Sequence, residues 1–187
     1  MRNPEGTELL RLARRSIEYG LVHREPVPID YDELPGSLSK PRATFTALRL
    51  DGVLRGCCGT LEAVHPLAKD VTRSAFRAAF RDPRFDPVGE DEVGAIRLEV
   101  SVLSPLESMP VSDEAELLDR LIPGTDGLVI VADGRRATLL PKAWEMLPDP
   151  RQFLAALRVK CGLADDYWSA RLEFQRYRTT SYQESSA

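Results

Sequence analysis

Metal-binding and cross-linking side chains are scarce here: the 187 residues include three cysteines and two histidines. Cys57 and Cys58 are adjacent and His23 and His65 stand alone, so the spacings of common zinc sites are missing and no metal ligand set is expected. Three thiols, two of them neighbours, form no conventional disulfide framework. Long apolar runs are lacking as well. Nothing approaches the roughly 20 residues of a bilayer span, and Met1-Arg2-Asn3-Pro4-Glu5 has no apolar stretch of the signal-peptide kind. Excess positive charge is missing: Lys and Arg total 25 against 29 Asp and Glu, giving a net charge of −4 and no basic footprint. Neither a dinucleotide fingerprint nor a Walker-type phosphate loop occurs. The expectation is a soluble, cytoplasmic protein without a cofactor. With 187 residues, 43% of them hydrophobic, the chain is long and apolar enough to bury one real core.

What is present is a series of short, well-punctuated elements. Leu9, Leu12, Ala13, Ile17 and Leu21 recur at helical spacing, which predicts an amphipathic helix from Glu5 to about Glu25. Prolines and acids between Pro26 and Pro41 predict an extended covering segment. Thr44 to Thr60 reads as a hairpin, because Asp51-Gly52 supplies the positive φ angles of a two-residue type I′ turn. Pro66 opens a helix to about Arg81 with Leu67, Val71, Ala75 and Ala78 on one stripe, and Asp82-Pro83 stops it. From Ala95 to Leu103, Ile96, Leu98, Val100 and Val102 alternate with Arg97, Glu99 and Ser101, the pattern of a half-buried strand. A short helix follows at Asp113 to Leu121.

The second half repeats this grammar. A hairpin turns at Asp133-Gly134, a helix runs from Pro150 to Cys161, and a strand from Arg171 to Thr180 puts Leu172 and Phe174 on one face. Hairpin, helix and strand thus occur twice, which predicts an α+β fold, mostly antiparallel with flanking helices, and an internal duplication. The expected organisation is a single domain over 1–187, with 1–40 as N-terminal helix and covering segment and 41–187 as core.

One loop is unusual in composition: Leu54-Arg55-Gly56-Cys57-Cys58-Gly59-Thr60. Two glycines within a strand mark a bulge or a close approach of backbone or ligand. Period two puts Arg55, Cys57 and Gly59 on one face and Gly56 and Cys58 on the other. A thiol beside a guanidinium is favoured as thiolate, the requirement for a reactive cysteine, whereas a free Cys packs well as a small hydrophobe. Packing is the commoner role and is assigned to Cys58 and Cys161; Cys57 is the thiol for which reactivity is worth asking.

This LRGCCGT segment resembles the LRGCIG signature of the AMMECR-one domain family, whose bacterial members are AmmeMemoRadiSam system protein A. Further blocks match in order: Asp82-Pro83-Arg84-Phe85, Leu98 to Pro105, Asp126-Gly127-Leu128, Leu139-Leu140-Pro141, Phe153-Leu154 and Lys160-Cys161-Gly162-Leu163. Cys58 replaces a branched aliphatic, Cys161 an alanine, and Ala47 a common threonine. The resemblance implies an α+β domain with a barrel-like antiparallel sheet and an internal repeat. It implies partnership with Memo-like and radical S-adenosylmethionine proteins, and no defined reaction.

Residues carried over from the matching blocks divide into two groups. Cys57, Arg55 and Glu99 are the catalytic candidates: a nucleophile, a cation for an anionic substrate and a carboxylate base, brought together if strand 95–103 lies beside the signature strand. Gly56, Gly59, Asp82, Arg84, Ser101 and Lys160 are the binding candidates. The plainer alternative for Arg55 and Glu99 is a cross-strand ion pair. His65 is the histidine nearest the signature but has no paired carboxylate in sequence. Lys69, Arg73, Arg77 and Arg81 form a stripe that reads as a solvated helix face or as a phosphate-binding face. Three functions follow in order: an accessory or interaction protein, a small enzyme acting on an anionic molecule, and a nucleic-acid binder.

Overall fold

A computed structural model describes residues 4–30 and 36–185. The order of elements is α1 (Pro4–His23), β1 (Thr44–Leu50), β2 (Val53–Gly59), α2 (Leu67–Phe80), α3 (Glu90–Val93), β3 (Arg97–Leu103), β4 (Glu107–Ser108), α4 (Glu114–Arg120), β5 (Gly127–Ala132), β6 (Arg135–Leu139), a 3₁₀ turn (Pro141–Glu145), α5 (Pro150–Lys160), β7 (Glu173–Tyr177) and β8 (Thr179–Gln183). Contacts divide the chain into two compact units: Met1–Leu103 with Thr180–Ala187, and Ser104–Thr179. No helix among the described residues is long and apolar enough to cross a membrane.

The first unit is built on a four-stranded sheet in the order β2-β1-β3-β8. Both turn residues, Asp51 and Gly52, have positive φ, so the predicted type I′ turn joins β1 to β2. The stripe Leu67, Val71, Ala75 and Ala78 of α2 is buried, together with Leu9, Leu12, Ala13 and Ile17 of α1 and Leu98, Val100 and Val102 of β3. From the covering segment, Val27 and Leu38 are buried, while residues 31–35 lie outside the described set.

Two departures from the sequence pattern stand out in this unit. First, β3 is buried on both faces rather than half-buried, with Glu99 at 7% and Ser101 at 9% exposure. The reason is its interior place in the sheet: Ser101 Oγ lies 2.8 Å from Ser181 Oγ of β8, and Glu99 lies 3.9 Å from Arg49 of β1. Second, β2 carries a bulge. Leu48 pairs with Gly56 and Arg49 with Leu54, so Arg55 is the extra residue and leaves the period-two pattern expected for Arg55, Cys57 and Gly59.

The second unit repeats the strand order in its own sheet, β4-β7-β5-β6, so that in both units the strand after the helix pairs with the first strand of the hairpin. Asp133 and Gly134 again have positive φ. The Asp149 side chain caps α5 by accepting from the amides of Arg151 and Gln152 at 2.8 and 3.1 Å. Trp144 stacks on Phe153 with ring centroids 3.8 Å apart, among Leu128, Ile130, Leu157 and Cys161. The last predicted strand divides into β7 and β8 at Arg178, whose amide donates to Ser104 Oγ at 3.0 Å instead of continuing the ladder. The strands therefore form two four-stranded sheets, not one continuous sheet.

Helix α2 comes close to β2 at Gly56, where an added methyl group would overlap the Ala78 carbonyl oxygen. Gly56→Ala is expected to cost about 1–3 kcal/mol, since backbone must shift to admit the methyl. Chemical denaturation measures this, and a change below about 0.5 kcal/mol would contradict the close approach.

Candidate functional site

The signature loop is held from outside by charged groups. Arg55 grips Glu92 bidentately, with Nε to Oε1 at 2.6 Å and Nη2 to Oε2 at 2.8 Å, and donates from Nη1 to the Asp86 carbonyl at 2.9 Å. Its proton is held more firmly than usual, mainly through the Glu92 hydrogen bond. Asp82, 7% exposed, accepts from the Cys57 amide at 2.9 Å and from Arg84 Nη2 at 2.7 Å through one oxygen, and from the Arg84 amide and Nε through the other. The Arg84 hydrogen bond, with help from those amides, holds the Asp82 carboxyl far below the usual carboxylate range. These contacts tie the segment after α2 to the edge strand β2.

The three catalytic candidates do not converge. Strand β1 lies between β2 and β3, so Cys57 and Glu99 flank Ala47 in one row. Two strand spacings put their backbones roughly 10 Å apart. Arg55 is paired with Glu92 and not with Glu99, because the bulge swings it off the row; the ion pair of Glu99 is with Arg49. Cys57 lies near the Arg84 guanidinium, whose proton is held chiefly by Asp82 and to a smaller degree by Cys57. Among the binding candidates, Asp82 and Arg84 form the clamp just described, and Gly56 admits α2. Ser101 meets Ser181. Lys160, in the second unit, donates to the Thr138 carbonyl at 2.9 Å.

A cavity of about 150 Å³ opens on the other face of the signature. Cys58, Gly59 and Thr60 at the end of β2 form one wall and His65 a second. The third is α2, through Asp70, Arg73, Ser74 and Arg77. Those four positions are spaced i, i+3, i+4, i+7, which puts them on one helical stripe beside the apolar one. The polar stripe meets an equally polar pair on β1. Thr44 donates to Asp70 Oδ2 from its amide at 2.8 Å and from its hydroxyl at 2.7 Å. Ser74 Oγ lies 3.1 Å from Thr44 Oγ1 and 2.7 Å from Thr46 Oγ1. All four side chains are at most 5% exposed. Burial pushes the Asp70 carboxyl upward, opposed by the two Thr44 hydrogen bonds and by the nearby charges of His65 and Arg73.

Arg73 and Arg77 are exposed at the cavity mouth, and neither forms an ion pair or side-chain hydrogen bond among the described residues. Arg55, Arg84 and Arg158, by contrast, are all paired with carboxylates. Of the candidates from the sequence, Gly59 and the stripe arginines Arg73 and Arg77 belong to this cavity. Cys58, assigned to packing, and His65, without a partner in sequence, line it as well. Asp70, Ser74, Thr44 and Thr46 are not among the sequence candidates. Their signal lies in two polar pairs, Thr44-x-Thr46 and Asp70-x₃-Ser74, each at the spacing that puts both members on one face of a buried element.

The fold thus defines an α+β protein of two hairpin-helix-strand units, with a polar notch where the first hairpin meets its helix. Residues 10–182 match the family model AMMECR1, and the chain belongs to that family. It is 36% identical to Protein MJ0810 of Methanocaldococcus jannaschii over 184 residues, covering 96% of this chain and 90% of that protein. A protein of Methanothermobacter thermautotrophicus is 35% identical over 182 residues, covering 96% and 94%. The crystal structure of uncharacterized protein PH0010 from Pyrococcus horikoshii superposes with a TM-score of 0.91 at 29% identity, covering 98% of this chain and 93% of that one.

Because folding lowers the Asp82 carboxyl, its contribution to stability is complete above the ordinary carboxylate range and is lost as pH falls through that range and below it. Asp82→Asn is expected to melt at a lower temperature than the parent near neutral pH, with the gap narrowing below about pH 4. Thermal unfolding across that range checks this; a gap independent of pH would mean that the clamp does not rely on charge.

Proposed function

We propose that this protein binds a small anionic molecule in the notch between the end of β2 and α2. We propose further that it does so as AmmeMemoRadiSam system protein A, an accessory to Memo-like and radical S-adenosylmethionine proteins. One observation carries the first part: Arg73 and Arg77 stand one helical turn apart at a cavity mouth without an ion-paired carboxylate among the described residues. A guanidinium fork is matched to carboxylate and phosphate oxygens, and two forks one helical turn apart are within reach of a single anion. Their positions are set by a helix pinned to the sheet by Asp70, which reduces the ordering cost of binding. His65 adds a third nitrogen-bearing group to the same cavity.

The accessory role rests on the family resemblance. Membership of one pathway gives the anion a source.

Titration with inorganic phosphate, followed by amide chemical shifts, is expected to be saturable and to move residues 58–60 and 70–77. Arg73→Ala and Arg77→Ala should each weaken binding about tenfold or more, the size of one lost charged hydrogen bond, with melting temperature unchanged. Equal phosphate affinity in the double variant would overturn the assignment. For the accessory role, the purified chain is expected to co-elute with Memo-like or radical S-adenosylmethionine partners from the same source, and consistent separate elution would count against it.

A further inference from the structure

The floor of the notch narrows the class of anion, and this step rests on the anion-binding reading above. Asp70 is 4% exposed, and both hydrogen bonds from Thr44 go to Oδ2. Oδ1 accepts no hydrogen bond among the described residues, yet Asp70 lines the cavity. The site therefore offers an acceptor beside two donors. Asp70 and Arg73 are three residues apart on α2, so an oxygen acceptor and a guanidinium fork rise from Cβ atoms about 5–6 Å apart. A plain carboxylate held by Arg73 and Arg77 would leave Oδ1 unmatched and facing more negative charge. A ligand that carries a donor on the atom next to its anionic group would span both.

We infer that the ligand is a small carboxylate with a hydroxyl or ammonium group on the adjacent carbon, its carboxylate at Arg73 and Arg77 and its donor at Asp70 Oδ1. The cavity of about 150 Å³ agrees. At about 30 Å³ per water of the liquid this is room for roughly five waters, the scale of a small carboxylate. Thr44 fixes the Asp70 rotamer before the ligand arrives, so the acceptor is preorganised.

The test compares three molecules of nearly equal size, lactate, alanine and propionate, by calorimetry or chemical-shift titration of the full chain at one pH. Lactate or alanine is expected to bind at least about tenfold more tightly than propionate, the effect of one hydrogen bond to a charged acceptor. Which of the two leads identifies the donor as hydroxyl or ammonium. Asp70→Asn should reduce that preference to about threefold or less; if the variant does not fold, the comparison on the parent chain still decides. Equal binding of all three overturns this inference and leaves the anion site standing. Binding of phosphate but of none of the three also overturns it. Binding of no anion, phosphate included, overturns both.

Discussion

The first unit depends on one buried carboxylate. Asp70 takes both donors of Thr44, and through Thr44 and Ser74 the bonding continues to Thr46, so that a helix and a sheet are joined by hydrogen bonds where most interfaces of this kind use aliphatic contacts. A charge placed this deep needs donors, and Thr44 supplies two of them to Oδ2 while Oδ1 is left to the notch. The arrangement constrains everything near it. Small polar side chains toward the N-terminal end of the helix hold it to β1, and the notch lies beside them, between the helix and the end of β2. At the other end Gly56 lets the Ala78 carbonyl come down onto β2.

Much of the fold was legible because backbone chemistry declares itself. Asp51-Gly52 and Asp133-Gly134 require positive φ and adopt it, and the buried stripe of α2 follows its period. Gly56 and Gly59 signalled a bulge or a close approach in β2, but not that Arg55 is the inserted residue; with that shift went the juxtaposition of Arg55, Cys57 and Glu99. The strand order was decisive in the same way. Placing β1 between β2 and β3 separates groups that a direct pairing would have joined, and this order is a property of long-range contacts, not of any local segment. The polar floor was hidden for another reason. A reading that seeks apolar residues for the core turns Phe45 and Ala47 inward, whereas the buried side of β1 carries Thr44, Thr46 and Leu48.

The arginines divide by task once the geometry is known. Arg55, Arg84 and Arg158 fasten loops to elements through carboxylates, and Arg158, 2% exposed, also lies 5.8 Å from the centre of the Trp168 ring. Arg73 and Arg77 are spent on no such duty. Composition alone treats all of these as equivalent, and only the partner at the end of each side chain separates structural cations from available ones. The signature segment shows the same division in miniature: its first half is clamped to the following loop, and its second half lines the notch.

The two outer strands of the hairpins, β2 and β6, share a further property. Each is a sheet edge, and on each a backbone group is occupied by a charged side chain from the segment at the end of the helix that follows: Asp82 on the Cys57 amide, Lys160 on the Thr138 carbonyl. An open edge is a template for another chain, and a charge fixed on it must be stripped of its partners before a foreign strand can pair there. In both units the end of the helix therefore supplies the guard for the strand before it, and a foreign strand would have to displace one of the residues that close each motif.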